Sequence, residues 1–416
     1  MWLQSVLDDT TQPPRLYAWT PENLNSMKPE SRRSSPSRLS DPARRIYILG
    51  LGNLGRLFAS GLVQHHSKPP ITLVVHRREL LEHWVSSPAI EITRKGSCLS
   101  TVKFADFDVE WWTSEKPVSG PLSEPASGKA INNLIIATKA SDALPQVDKL
   151  RKYLDSNSTV AFTQNGMCKL WPPLGNAYIH HRFPHDGGPN FIACVTTHGV
   201  LSLGPFKSMH ASMADVSVGP VLRNPQTGRG PEYLMDLISE APDLDGRQVP
   251  TPQLWILQLE KLVVNSIINP LTAILRCKNG KLFERKGDNV SLVIDALVQE
   301  ASNVLVDLIR DSSSAQVIGD MDQAVIDELV ERFSFPRLQK MVLNVGEKVK
   351  HNTSSMLQDV LAGKQTEVRH FNGWIVETAN YLNRGQDVST HEKIISLVEG
   401  GKQMWRRELV QSVLSI

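Results

Sequence analysis

Cysteine is sparse in this chain of 416 residues: the four present, Cys98, Cys168, Cys194 and Cys277, lie far apart and form no CxxC pair. That spacing suggests neither a zinc site nor a disulfide framework, and the thiols read as reduced and intracellular. A surplus of either charge is missing too. Lys plus Arg number 45 against 43 Asp plus Glu, a formal net of +2, so no overall field draws nucleic acid or an anionic membrane surface. No apolar run reaches the ~18 to 20 residues that cross a bilayer, and the N-terminus, acidic at Asp8 and Asp9, has no signal-peptide core. Solenoid-length repeats are absent as well. What remains is the expectation of a soluble, unsecreted globular protein with neither nucleic acid nor membrane as partner. Its 41% hydrophobic and 21% charged residues agree with that class, and its length allows two domains.

Residues 1–44 are rich in Ser, Pro and Arg and show no sustained apolar period, which predicts a disordered extension. The Arg- and Ser-rich part of it, Met27 to Arg45, has a faint likeness to an organelle-targeting segment. The cytoplasm is therefore the expected compartment, with the mitochondrion as the alternative. At Arg45 the pattern changes. Ile46-Tyr47-Ile48-Leu49 is a short apolar strand, Leu54 to Gln64 is helix-like, and Ile71 to Val75 is a second strand, together one βαβ unit with parallel strands. Leu134 to Ala137, Thr159 to Phe162 and Ile192 to Val195 are further buried-strand candidates for the same sheet. Ser114 to Lys129 and Arg223 to Gly230, both punctuated by Pro or Gly, read as surface insertions. From about Pro252 onward long helical periods take over, at Leu254 to Arg276, Val290 to Asp311, Gln323 to Phe333 and Trp374 to Asn383. The predicted architecture is a Rossmann-type, doubly wound parallel sheet over residues 45–250, followed by an all-helical domain over 251–416.

The turn after the first strand, Gly50-Leu51-Gly52-Asn53-Leu54-Gly55, matches G-x-G-x-x-G. Its glycines serve a tight turn, backbone approach to a pyrophosphate, and close helix-to-strand packing, with the helix N-terminus facing the phosphates. Strand before, helix after and a second strand at the right interval favour the dinucleotide reading over a purely structural turn. Where an NAD binder places a carboxylate for the ribose hydroxyls, this chain has His76-Arg77-Arg78. A guanidinium suits a 2′-phosphate, so NADP(H) is the expected cofactor, with Arg77 its recognition residue.

In the helical half, Lys261, Asn265 and Asn269 recur at i, i+4 and i+8, a row of polar side chains on one helix face otherwise surrounded by apolar residues. An amphipathic helix does not ordinarily spend its inner stripe that way. The paired His180-His181 with His185 have no Cys or carboxylate frame at ligand spacing, so a surface loop is expected there and no metal site.

At Lys261, Asn265 and Asn269-Pro270-Leu271-Thr272-Ala273, with Asn279-Gly280 beyond, the sequence resembles the ketopantoate reductase family, the 2-dehydropantoate 2-reductases. A second signature of that family stands as Ser354-Ser355-Met356-Leu357-Gln358-Asp359, then Thr366-Glu367 and Asn372-Gly373. Ala137-Thr138-Lys139-Ala140, Gln164-Asn165-Gly166-Met167 and Thr197-His198-Gly199-Val200 are similar to family segments of the first domain. The resemblance implies a reductase that takes a small 2-keto acid and NADPH, converting 2-dehydropantoate to (R)-pantoate on the route to coenzyme A. Another branched 2-keto acid, or a non-catalytic protein on the same fold, is the alternative. It implies Lys261 as proton donor, and Asn165, Asn265, Asn269, Asn279 and Ser355 as substrate ligands. Lys139, Asn165, Val200 and Glu367 would border the cofactor, along with the glycine turn; the oligomeric state, a homodimer or otherwise, stays open. The residue types agree with the chemistry. Hydride addition to C2 creates an alkoxide, which a nearby ammonium stabilises and protonates, while amides and a hydroxyl hold a polar substrate without competing charge.

Overall fold

The computed structural model describes residues 2–24, 41–95, 99–184, 187–225, 230–284, 287, 289–319 and 322–414. It divides into two compact units, one made of residues 2–164 and 168–254, the other of 165–167 and 255–416.

In chain order the first unit contains α1 (Trp2–Asp8), β1 (Tyr17–Trp19), β2 (Ile46–Leu49), α2 (Asn53–Val63), β3 (Ile71–Val75), α3 (Arg78–Ser86), β4 (Ile90–Lys95), β5 (Leu99–Phe104) and β6 (Asp108–Thr113). It continues with β7 (Asn133–Ile136), α4 (Ala140–Leu150), β8 (Thr159–Phe162), α5 (Leu174–Arg182), β9 (Asn190–Thr196), β10 (Gly199–Gly204), β11 (Lys207–Ser212), β12 (Val216–Leu222), α6 (Glu232–Glu240) and β13 (Gly246–Gln248). A nine-stranded sheet runs β1-β6-β3-β2-β7-β8-β9-β12-β13. From β6 to β9 all neighbours are parallel. Their central members β2, β3, β7 and β8 are buried at every position, as short apolar runs covered on both faces must be. The order reverses at β2, which is flanked by β3 and β7. In open α/β sheets such a reversal opens the crevice at the carboxyl ends of the strands where ligands bind, and Gly50 directly follows β2.

Two features depart from the sequence expectation. First, β4, β5, β10 and β11 form a separate four-stranded sheet, ordered β10-β11-β4-β5, against which α2 packs. Second, residues 2–24 of the expected disordered extension are folded, while 25–40 lie outside the described residues. β1 pairs antiparallel with β6 at the sheet edge, and Leu16, Ala18, Trp19 and Leu24 are buried. The stretch Ser114 to Lys129 is a largely exposed surface segment, as expected, and it is tied to the folded N-terminal segment. The Trp19 indole N–H donates to the Glu115 carbonyl at 2.7 Å, and the Asn23 side-chain amide donates to the Ser119 and Pro121 carbonyls at 2.8 Å each. Loop and N-terminal segment thus satisfy each other's polar groups, and the N-terminal segment also buries Leu16 and Leu24, about 1.5–3 kcal/mol per side chain. Neither piece carries enough apolar surface to order itself alone. In Arg223 to Gly230, residues 226–229 lie outside the described residues.

The helical unit is built on α7 (Thr251–Leu275), α8 (Asn289–Arg310), α9 (Ala315–Ile318), α10 (Gln323–Arg332), α11 (Phe335–Lys348), α12 (Ser355–Leu361), α13 (Val368–Leu382), α14 (Ser389–Glu399) and α15 (Arg406–Leu414). α8 is its hub. Val290, Val293, Ile294, Leu297, Val298, Ala301, Val304, Leu305 and Leu308 form a buried stripe at helical spacing, and α10, α11, α13, α14 and α15 all pack against it. Among the described residues no helix is long and apolar enough to cross a membrane.

Candidate active site

The glycine turn has the geometry that its spacing implies. Gly50 has φ +98°, and a Cβ there would come within 2.8 Å of the Ala137 carbonyl carbon and the Thr138 nitrogen; one on Gly55 would lie 2.0 Å from the Gly50 oxygen. Both positions exclude side chains, the first by conformation and crowding and the second by crowding. At Gly52 the nearest atom to a Cβ, the Ala137 oxygen, is 4.0 Å away. Space is therefore left where a pyrophosphate backbone approaches, directly at the N-cap of α2. The residues present fit a dinucleotide.

Behind this turn lies a support that sequence reasoning missed. Arg56 is 4% exposed, and its guanidinium donates to the carbonyls of Gly52 (3.2 Å) and Gly204 (2.6 Å), to the Asn53 side-chain oxygen (2.9 Å) and to Ser202 Oγ (3.2 Å). The Asn53 amide donates in turn to the Val200 carbonyl at 3.0 Å. Turn and helix are thereby pinned to β10 of the small sheet, and Val200 meets the turn through its backbone. Burial pulls the Arg56 pKa down to about 10, which leaves it charged at neutral pH. The signal was available in the sequence, as an arginine on the inward face of an otherwise apolar helix. At the end of β3, Arg77 is exposed and loosely placed 4.0 Å from Glu79, whereas Arg78 bonds Glu82 at 2.9 Å and lies over the Trp19 ring. Lys139 is the N-cap of α4, half-buried.

The helical unit gathers the other group. Asn165, from the loop after β8, belongs to this unit, and Lys261 Nζ donates to its Oδ1 at 2.7 Å. The turn that carries Asn165 requires Gly166, which has φ +86° and would place a Cβ 2.9 Å from the His370 oxygen. Lys261 and Asn265 are half-buried and Asn269 is buried. Asn269 Nδ2 faces Ser355 Oγ at a long 3.5 Å, and Ser355 is exposed at the start of α12. Two residues that the sequence motifs contained but gave no role join them. Thr272 Oγ1 and Ser354 Oγ share a 2.7 Å hydrogen bond, and Ser354 caps α12, so the row on α7 and the Ser354-Ser355 pair are tied by a buried hydroxyl pair. Asn279 is 5% exposed, and its backbone N–H donates to the Asn352 carbonyl. Its Oδ1 is buried with no hydrogen-bond partner among the described residues. Glu367 is the half-buried N-cap of α13.

Other sites prove less informative. His180 and His181 are exposed on the last turn of α5, a helix rather than the expected loop, and His185 lies outside the described residues. Among the described residues His65, His66 and Glu240 come within metal-ligand reach of one another. There the Ser67 N–H donates to His65 Nδ1, which places the ring proton on Nε2, facing Glu240 Oε2 at 3.1 Å. That nitrogen is engaged as a hydrogen-bond donor rather than presented to an ion. Burial pushes the Cys168 thiol up to about 12 and the Cys194 thiol up as well, so neither is a nucleophile at neutral pH; Cys98 lies outside the described residues.

Comparison with known proteins converges on one family. Residues 46–223 match the family model described as "Ketopantoate reductase PanE/ApbA", and residues 254–403 match "Ketopantoate reductase PanE/ApbA C terminal". The chain is 41% identical to a Gibberella fujikuroi protein named ketoisovalerate reductase BEA2, over 99% of this chain and 98% of that one. It is 27% identical to a probable 2-dehydropantoate 2-reductase of Schizosaccharomyces pombe, over 85% and 95%. Among solved structures, a ternary complex of D-mandelate dehydrogenase with NADH and anilino(oxo)acetate has the same fold, with TM-score 0.60 and 15% identity over 88% of this chain and 99% of that one.

Proposed function

Because the chain belongs to the ketopantoate reductase family, we propose that it is an NADPH-dependent reductase of a branched 2-keto acid, with ketoisovalerate as the substrate and 2-hydroxyisovalerate as the product. The observation that carries the choice of substrate is end-to-end similarity to a ketoisovalerate reductase. When bound, the nicotinamide nucleotide supplies a hydride to C2 of the keto acid. The chain's own residues do the rest. Lys261 presents its ammonium to the oxygen on C2, stabilises the negative charge that develops there and gives up the proton that completes the hydroxy acid. Asn165, held by Lys261, fixes the direction of that ammonium. Asn265, Asn269, Asn279 and Ser355 donate or accept around the carboxylate and keto oxygen, adding no charge that would compete with Lys261. Gly50 to Gly55, with Leu51, Asn53 and Leu54, cradle the pyrophosphate, and Lys139, Val200 and Glu367 border the cofactor.

A second reading, 2-dehydropantoate as substrate, has one observation in its favour. Asn279 Oδ1 is a buried acceptor without a donor among the described residues, and the hydroxyl that distinguishes 2-dehydropantoate from ketoisovalerate would supply one. NADPH oxidation measured across both acids and a straight-chain 2-keto acid separates the readings. We expect kcat/KM for ketoisovalerate to exceed that for 2-dehydropantoate by about tenfold or more, the scale on which a pocket sorts substrates of different size. The reverse order would make 2-dehydropantoate the substrate, and no oxidation with any of the three would refute both readings.

Cofactor preference is tested at Arg77. A charge-assisted contact contributes about 1.5–3 kcal/mol, and the 59% exposure of this side chain favours the low end, roughly tenfold in affinity. Arg77→Ala is expected to erode the preference for NADPH over NADH by that factor. Arg78→Ala should change it less, since Arg78 is engaged with Glu82 and Trp19. Equal affinity of the wild type for the two cofactors would refute the assignment.

A further inference from the structure

Pro270 lies inside α7, between the row Lys261, Asn265, Asn269 and the helix end. A proline has no N–H, so the carbonyl four residues earlier loses its helical partner. That carbonyl belongs to Ser266, immediately after Asn265, and Ser266 is fully buried, where an unsatisfied carbonyl is costly. The missing donor comes from another helix. Asn372 Nδ2, on α13 and fully buried, donates to the Ser266 oxygen at 2.8 Å. Its second N–H is directed at His391 Nδ1, 3.0 Å away on α14, and the other ring nitrogen of His391, Nε2, meets the Leu297 carbonyl on α8 at 3.1 Å. An unbroken line of hydrogen bonds therefore runs from the hub helix through α14 and α13 to the backbone of the helix that bears Lys261. The tautomer is determined throughout: His391 gives its single proton to Leu297, which leaves Nδ1 to accept from Asn372 and orient that amide.

We propose that Asn372 is a positioning residue for this site: it replaces the hydrogen bond that Pro270 removes from α7, and so sets where Lys261, Asn265 and Asn269 stand relative to one another. The reactive row straddles the break. Lys261 and Asn265 precede the Ser266 carbonyl and Asn269 follows it, so the donor on α13 determines how the two halves are held. The inference rests on the reading of Lys261, Asn265 and Asn269 as the reacting and binding groups, but its hydrogen-bond part can be tested without that reading.

The test is a cycle of four proteins: wild type, Asn372→Leu, Pro270→Ala and the double variant, each measured for urea midpoint and for kcat. Leucine keeps the branched skeleton, at a somewhat larger volume, and removes both donors, so Asn372→Leu should lower the midpoint and reduce kcat on the order of tenfold to a hundredfold, the scale of a reacting group displaced by about an ångström. Pro270→Ala restores an N–H that can serve Ser266 within the helix. In the Asn372→Leu background it should recover stability that it does not add to the wild type, yet leave kcat low, because a bond along the helix axis does not reproduce the hold from α13. Recovery of kcat in step with the midpoint would make Asn372 a structural residue only and overturn the proposal. So would a wild-type kcat in folded Asn372→Leu, or equal stability effects of Pro270→Ala in both backgrounds. A wild type that reduced no keto acid would count against the proposed function instead, and the midpoints alone would then decide whether Asn372 replaces the lost bond.

Discussion

Lys261→Ala should lower kcat by roughly 10²- to 10⁴-fold, the contribution of a positioned general acid, while the protein stays folded and binds its cofactor. The side chain makes a 2.7 Å bond to Asn165, but it is half-buried and is no part of the α8-centred apolar core. Removing it therefore costs chemistry more than fold. The loss should appear at saturating keto acid and saturating cofactor, because the ammonium acts on charge that develops only as hydride arrives at C2. Lys261→Arg would keep a charge but replace a compact, acidic ammonium with a guanidinium that does not release its proton, and should remain severely impaired. Turnover at saturation in both variants is the measurement, with cofactor titration as the control. A Lys261→Ala enzyme that turned over normally but bound its cofactor poorly would remove Lys261 from the chemistry.

The parts of the site legible in the sequence are those whose logic is local. In the glycine turn, conformation and crowding act within a few residues, as at Gly50 against Gly55, so spacing alone was informative. The same holds for Lys261, Asn265 and Asn269, where helical periodicity places three polar groups on one face. Long-range pairing stayed hidden. β1 is three residues long and acquires its structure from β6, about ninety residues onward, so no window around Tyr17 to Trp19 shows a period. β5 is exposed at five of its six positions and lacks the apolar run by which buried strands are recognised; its small sheet is closed by the parallel pairing of β11 with β4. Arg56 and Asn372 show the same limit at the level of single residues. Arg56 appears in the sequence as a polar residue inside a helical run and Asn372 only as part of a short Asn-Gly motif just before one; the partner, Gly204 for the first and Ser266 for the second, explains why each is there.

Acid should destabilise this protein through His391, and the size of the effect follows from its surroundings. The ring is fully buried, between the Leu297 carbonyl and the Asn372 amide, and desolvation pushes its pKa down from 6.5 to about 4. Protonation would also place an N–H on Nδ1 against the Asn372 N–H, donor facing donor. Between pH 6.5 and 4 the unfolded chain thus binds a proton that the native state refuses, so stability rises with pH across that window. The contribution is complete above pH 6.5, diminishes as pH falls, and is lost at about pH 4. At 1.36 kcal/mol per unit it amounts to about 3 kcal/mol over the whole window and about 2 kcal/mol by pH 5. Glu300, which accepts from the Thr390 and His391 backbone N–H groups, works the other way. Burial raises its pKa, so in the range just above its ordinary value the native state binds the extra proton and acid favours folding. The His391 effect therefore has to be isolated by comparison. His391→Gln keeps a donor and an acceptor on a side chain that does not titrate, and its urea-unfolding free energy should decline between pH 7 and 5 by about 2 kcal/mol less than that of the wild type. Identical slopes for the two proteins would mean that His391 titrates alike in the folded and unfolded chains, and the buried relay to Asn372 would lose its part in acid sensitivity.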